Sequence, residues 1–184
     1  MKRKSLQFSL FLGLFLSGLL TLALWAQDKY TVKVPGGLAF SEFRGYEAWP
    51  AISISRNEKA VAVILGNPAM IKAYQDGFPA NGKPVPDGAR MAKIHWEPKK
   101  NEFFPDATVP GKLQNVDFMV KDSKRFADSG GWGYAVFDYD SASNTFKPGT
   151  KAGSPPQGND AKCGFTCHTS AKSRDYVFTD YGRR

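Results

Sequence analysis

Short apolar runs and alternating segments, rather than long amphipathic stretches, set the pattern of this chain. Ala60-Val61-Ala62-Val63-Ile64-Leu65 is continuously apolar, with charged residues before it and Gly66-Asn67-Pro68 after it, which predicts a buried strand. Three later segments alternate with a period of two. In 90–97, Ala92, Ile94 and Trp96 share a face opposite Met91, Lys93, His95 and Glu97. In 113–121, Val116, Phe118 and Val120 oppose Asn115, Asp117 and Met119, and in 131–139 Trp132, Tyr134 and Val136 oppose Ala135, Phe137 and Tyr139. The later strands follow one another too closely for crossover helices, so the expected fold class is α+β: an antiparallel β-meander with a few helices packed on it.

Two helices are expected. Asn67 as N-cap and Pro68 in the first turn open one through about Gln75, ending near Gly77. Ser41 caps a shorter one through Trp49, which Pro50 stops. Residues 78–88, with three Pro and two Gly, read as a loop, and so does 140–162. The tail Asp175-Tyr176-Val177-Phe178-Thr179-Asp180-Tyr181 is aromatic enough to pack on the domain.

Composition narrows the class. The 184 residues are 42% hydrophobic and 14% aromatic, room for one domain with its own core and unlike a disordered chain; two Cys exclude a disulfide-stapled mini-protein. Lys2-Arg3-Lys4, an uncharged apolar run from Leu6 to Trp25, and Ala26 before Gln27-Asp28 read as a secretory signal peptide. The expected organisation is a signal peptide at 1–26, an irregular lead-in at 27–40 and one domain at 41–184, with a retained anchor as the alternative to cleavage. The first Cys is Cys163, so an N-terminal lipid-modified Cys is excluded. Removing the first 26 residues takes three cations from a net charge of +8, and the rest are scattered, which disfavours nucleic acid and leaves room for an acidic redox partner.

Both Cys and one of the two His fall within Cys163-Gly164-Phe165-Thr166-Cys167-His168. In an exported chain, a Cys pair followed at once by His is the pattern of covalent haem c attachment, with two thioethers and the His as iron ligand. The usual spacing has two residues between the Cys; here there are three, and Gly164 helps to supply the slack that the first thioether needs. A local Cys163–Cys167 disulfide fits the same residues in an oxidising compartment. Zinc is a third reading, with only His95 left to complete a set of four. The scarcity of ligands allows one haem and excludes a multihaem wire. Met70, Met91 and Met119 read as core, and His95 as a half-exposed strand residue.

Ordered blocks then add a family. Asp87-Gly88-Ala89-Arg90-Met91-Ala92-Lys93, Val120-Lys121-Asp122-Ser123-Lys124-Arg125-Phe126, Gly131-Trp132-Gly133-Tyr134, Cys167-His168-Thr169 and Asp175-Tyr176-Val177-Phe178-Thr179 together resemble the cytochrome P-460 family, over roughly residues 40–184. The resemblance implies a periplasmic homodimer, mostly antiparallel β, with one covalent haem c per chain held by Cys163, Cys167 and His168 and an open distal iron face. It implies hydroxylamine or nitric oxide as ligand and a cytochrome as redox partner. In the hydroxylamine-oxidising members a Lys after an Asp-Gly turn is cross-linked to the porphyrin edge, and Lys93 stands at that position. They also carry a distal Glu that handles protons; Asp117 stands there, one methylene shorter, so that a water is expected between it and a bound ligand. The related cytochrome c prime-beta branch has an apolar Phe pocket for nitric oxide, whereas Asp117, beside Phe118 and Met119, makes a polar distal site. The resemblance therefore supports three functions: a hydroxylamine-oxidising enzyme, a nitric-oxide-binding or electron-carrier protein without turnover, and a haemless relative with the disulfide.

Overall fold

The computed structural model describes residues 28–35, 38–151 and 164–183; residues 1–27, where a signal peptide is expected, Cys163 and most of the segment before it lie outside them. Six strands form one antiparallel sheet in sequential order: β1 Ala51–Arg56, β2 Val61–Gly66, β3 Arg90–Lys100, β4 Thr108–Lys121, β5 Trp132–Asp140 and β6 Thr145–Pro148. This is the expected meander, and β2 to β5 fall where the apolar runs and alternation put them. The two edge strands are additions. Strand β6 lies inside the stretch read as loop; Phe146 is its one buried residue, too little for a period-two signal, and it is held by pairing with β5 and by the Tyr139 ring at 5.2 Å. Strand β1 carries two isoleucines, but a register shift at its start leaves Ile52 buried and Ile54 exposed.

Alternation sorts the strand residues into two layers. Val116, Phe118, Val120, Ala135 and Phe137 face a core that is closed by Val32, Val34, Leu38, Phe40, Phe43 and Tyr46 from the N-terminal segment. The Phe118 ring stacks on Phe43 at 4.0 Å and meets Phe40 edge-on at 5.2 Å. The segment expected as one Ser41-capped helix is instead two 3₁₀ turns, Phe40–Phe43 and Tyr46–Ala48. Arg44, with an extended ψ of 132°, and Gly45, at φ 77°, break the helical path between them, and Glu42 accepts the Ala39 N–H at the start of the first.

The opposite face carries Ile64, Met91, Met119, Trp132 and Tyr134, partly covered by helix α1 (Pro68–Gln75) and by the C-terminal segment. Helix α1 has the expected Asn67 cap and Pro68. The Asn67 Oδ1 also accepts the Arg90 N–H and its Nδ2 donates to the Gly88 carbonyl, so the cap fixes where β3 begins. The C-terminal segment packs down as expected: Tyr74 donates its hydroxyl to the Thr179 carbonyl and stacks on Tyr181 at 5.4 Å.

Candidate functional site

A cleft of about 310 Å³ opens between this second face of the sheet and the C-terminal segment. Strand pairing builds its floor. Ile64, Lys93 and Asp117 are successive partners across β2, β3 and β4, and Met91 and Met119 pair in the next row. Its other wall is short helix α2 (Phe165–His168), which brings Cys167 and His168, together with Phe178 and Thr179. Lys93, Asp117, Cys167 and His168, about 75 residues apart at the extremes, thus line one cavity. The expectations on Cys163, including the disulfide and the first thioether, lie outside the described residues. Met70 is buried in the core, as expected, whereas Met91 and the partly buried Met119 also line the cleft. The Phe118 ring belongs to the opposite core, so the cleft takes Met119 and Asp117 from this stretch.

His168 is held in one tautomer. Its Nδ1 lies 2.6 Å from the Tyr176 carbonyl, which can only accept, so Nδ1 carries the proton and Nε2 keeps its lone pair. The ring sits between Tyr134, 5.0 Å away, and Phe178, 4.9 Å away. Burial pushes its pKa below the ordinary histidine value; the Lys93 charge pushes the same way, while the Tyr176 carbonyl and Asp117 oppose. The result is a neutral imidazole with a free Nε2 lone pair, backed by a carbonyl, which is chemically suited to metal ligation.

The presenting loop is built by the other family-like blocks. Asp175 and Tyr176 are both left-handed, at φ 46° and 64°, which turns the Tyr176 carbonyl back toward His168. Asp175 is fixed three ways: Oδ1 accepts from Lys121 Nζ at 2.7 Å, Oδ2 from the Val85 N–H, and its carbonyl from the Trp132 indole. Gly130, itself at φ 67°, lies so close beneath Tyr176 that a Cβ there would stand 2.2 Å from the ring.

On the cleft floor, His95 Nε2 meets Asp117 Oδ2 at 3.0 Å and Asn115 donates to Oδ1. His95 and Asp117 side chains are each only 13% exposed. His95 therefore serves the carboxylate rather than solvent, and strand alternation, which puts both residues on the cleft face, was the available signal for the pair. Tyr134, Tyr176 and Phe178 all stand in the family-like blocks, but neither alternation nor spacing assigned them a contact with His168.

The donor set fits a haem iron: one neutral imidazole with a single available lone pair, a thiol one residue before it, and walls that are mainly Ile, Met and Phe. A site of this kind on an antiparallel sheet is that of a c-type haem cytochrome. The cytochrome P460 family model matches residues 43–179, and the chain belongs to that family. A search of the curated proteins finds no match.

Proposed function

We propose that the protein is a periplasmic monohaem cytochrome that binds hydroxylamine or nitric oxide at the open face of the iron and, with hydroxylamine, passes electrons to a cytochrome partner. The observation that carries this reading is the single cleft in which a tautomer-locked His168 and the thiol of Cys167 share walls with Lys93 and Asp117. Cys163 and Cys167 would hold the haem by thioethers, one haem per chain, and His168 would ligate its iron. Bound there, haem supplies the one-electron redox chemistry and the open coordination position.

The chain's own residues do the rest. The Tyr176 carbonyl keeps the His168 ring oriented and its Nε2 basic. Ile64, Met91, Met119 and Phe178 keep the cleft largely apolar, which strengthens the polar contacts made within it. Asp117 would accept a proton from a bound hydroxylamine, directly or through water, and Lys93, which lines the same cleft, would join the macrocycle edge as the family resemblance implies. The resemblance of the family blocks supports a signal-directed, homodimeric protein.

Periplasmic expression with a cytochrome-maturation system, followed by denaturing mass spectrometry, is the test. The expected mass is the mature chain plus one haem, and the expected turnover is hydroxylamine-dependent reduction of an added acceptor. A bare mature mass overturns every haem reading; a haem-loaded protein that binds stoichiometrically without turnover selects the carrier function. Lys93→Leu is expected to return the absorption spectrum to that of an ordinary high-spin haem c, and an unchanged spectrum removes the Lys93 cross-link.

A further inference from the structure

Lys93 and Asp117 are direct partners across the β3–β4 ladder, and both line the cleft. Opposite charges placed this way ordinarily attract one another across a sheet. Yet Lys93 enters no ion pair or hydrogen bond among the described residues, while both oxygens of the Asp117 carboxylate are held by other partners, Oδ2 by His95 and Oδ1 by Asn115. His95 and Asn115 are themselves partners on the same two strands, one row along from Lys93 and Asp117. They draw the carboxylate along the sheet, away from the amine. An ionised carboxylate only accepts, so His95 Nε2 is the donor in this arrangement.

We infer that His95 and Asn115 are positioning residues that hold Asp117 off Lys93 and so keep the Lys93 amine unpaired and nucleophilic toward the cleft. The inference rests on the reading of Lys93 and Asp117 as the working polar groups of the ligand cleft. An amine locked in an ion pair is held as ammonium and has no lone pair to give; an unpaired one reacts once it loses a proton. If the reaction is with a macrocycle carbon, an N–C bond replaces one N–H and one C–H. The two protons and two electrons released then reduce one equivalent of a peroxide-class oxidant to water.

The test is mass spectrometry of the Lys93-bearing peptide, cut from haem-loaded protein after brief exposure to acetic anhydride. In the wild type Lys93 is expected to be modified, by haem or by acetyl. In the double variant His95→Leu/Asn115→Ala the carboxylate is released toward Lys93, and the modified fraction is expected to fall about fivefold, the scale of a half-exposed ion pair. His95→Gln, which retains an N–H donor, keeps the wild-type fraction. Adding Asp117→Asn to the double variant restores it, which a merely damaged fold would not allow. An undiminished fraction in the double variant, or a loss that Asp117→Asn leaves in place, overturns the inference. So does a wild-type Lys93 that stays unmodified. A wild-type Lys93 that takes acetyl but never haem supports the positioning role and overturns only the haem cross-link.

Discussion

The ammonium of Lys121 and the carboxylate of Asp175, 54 residues apart in sequence, meet at 2.7 Å with their side chains 8% and 14% exposed. Lys121 also donates to the Gly130 carbonyl, and Asp175 also receives the Val85 N–H. The pair thereby ties the end of β4 to the loop whose next carbonyl orients His168. Removing one partner of a pair this buried leaves the other charge uncompensated.

Lys121→Met is therefore expected to lower stability by about 3–5 kcal/mol, measured as a shift in urea midpoint at constant slope. Lys121→Met/Asp175→Asn, which removes both charges, should recover a good part of that loss. With His168 as the proposed iron ligand, both variants should broaden or shift the haem absorption spectrum, because the Tyr176 carbonyl loses its anchor. A single variant within 1 kcal/mol of wild type, on the scale of a surface pair, would contradict the buried-pair account.

Two glycines with positive φ give a matched comparison. Gly45, at φ 77°, has nothing within 4 Å of a built Cβ, whereas Gly130, at φ 67°, would place one 2.2 Å from the Tyr176 ring. Gly45→Ala should cost only the backbone strain, about 1–2 kcal/mol. Gly130→Ala carries the same strain and must also displace Tyr176, so it should cost clearly more and also disturb haem ligation. Thermal unfolding of both variants with an absorption spectrum of each is the measurement; equal costs and an unchanged spectrum would rule out the close packing beneath Tyr176.

What the sequence conveyed follows from how many residues each feature spreads its signal over. Lys93 and Asp117 could be put on one face because β3 and β4 alternate for several residues with a buried opposite face. Cys167 and His168 could be read from their adjacency. The edge strands were less legible: β6 buries only Phe146, and the bulge in β1 puts Ile52 and Ile54 in different environments. The 3₁₀ turns around Gly45 resemble a helix in composition and are parted by two non-helical residues, Arg44 at ψ 132° and left-handed Gly45. The engagement of Asp117 by His95 and Asn115 depends on side-chain rotamers, and the His168 contact to the Tyr176 carbonyl, eight residues on, depends on two successive left-handed residues, neither of which alternation or composition encodes.

Acid should find His168 through the sign of its shift. Its folded pKa lies below the ordinary 6.5, chiefly because burial disfavours the charged ring. The unfolded chain therefore takes up this proton first. The stability contribution is complete above pH 6.5 and is lost as pH falls from there through the folded value. Lys93→Leu removes a charge that lowers this pKa and should raise it; Asp117→Asn removes one that raises it and should lower it further. NMR titration of His168 in haem-free protein reads both directions, and shifts of the same sign in the two variants would be inconsistent with the charges facing this ring.

Phe118 couples the closed core to the open cleft. It stands on β4 between Asp117 and Met119, with its own ring 1% exposed in the opposite layer, stacked on Phe43. Phe118→Ala should cost about 3–5 kcal/mol, since the ring is enclosed by Phe40, Phe43, Tyr46 and Phe137 and the vacated space has little way to collapse. Phe118→Leu, which keeps most of the volume, should cost much less. The strand is shared, so slack on the core side also frees the backbone that aligns Asp117 with Lys93. In Phe118→Ala ligand affinity at the cleft should therefore weaken along with the denaturation midpoint, while Phe118→Leu should lose little of either. A variant that loses stability but binds nitric oxide with wild-type affinity would show that the cleft is held by the C-terminal segment alone.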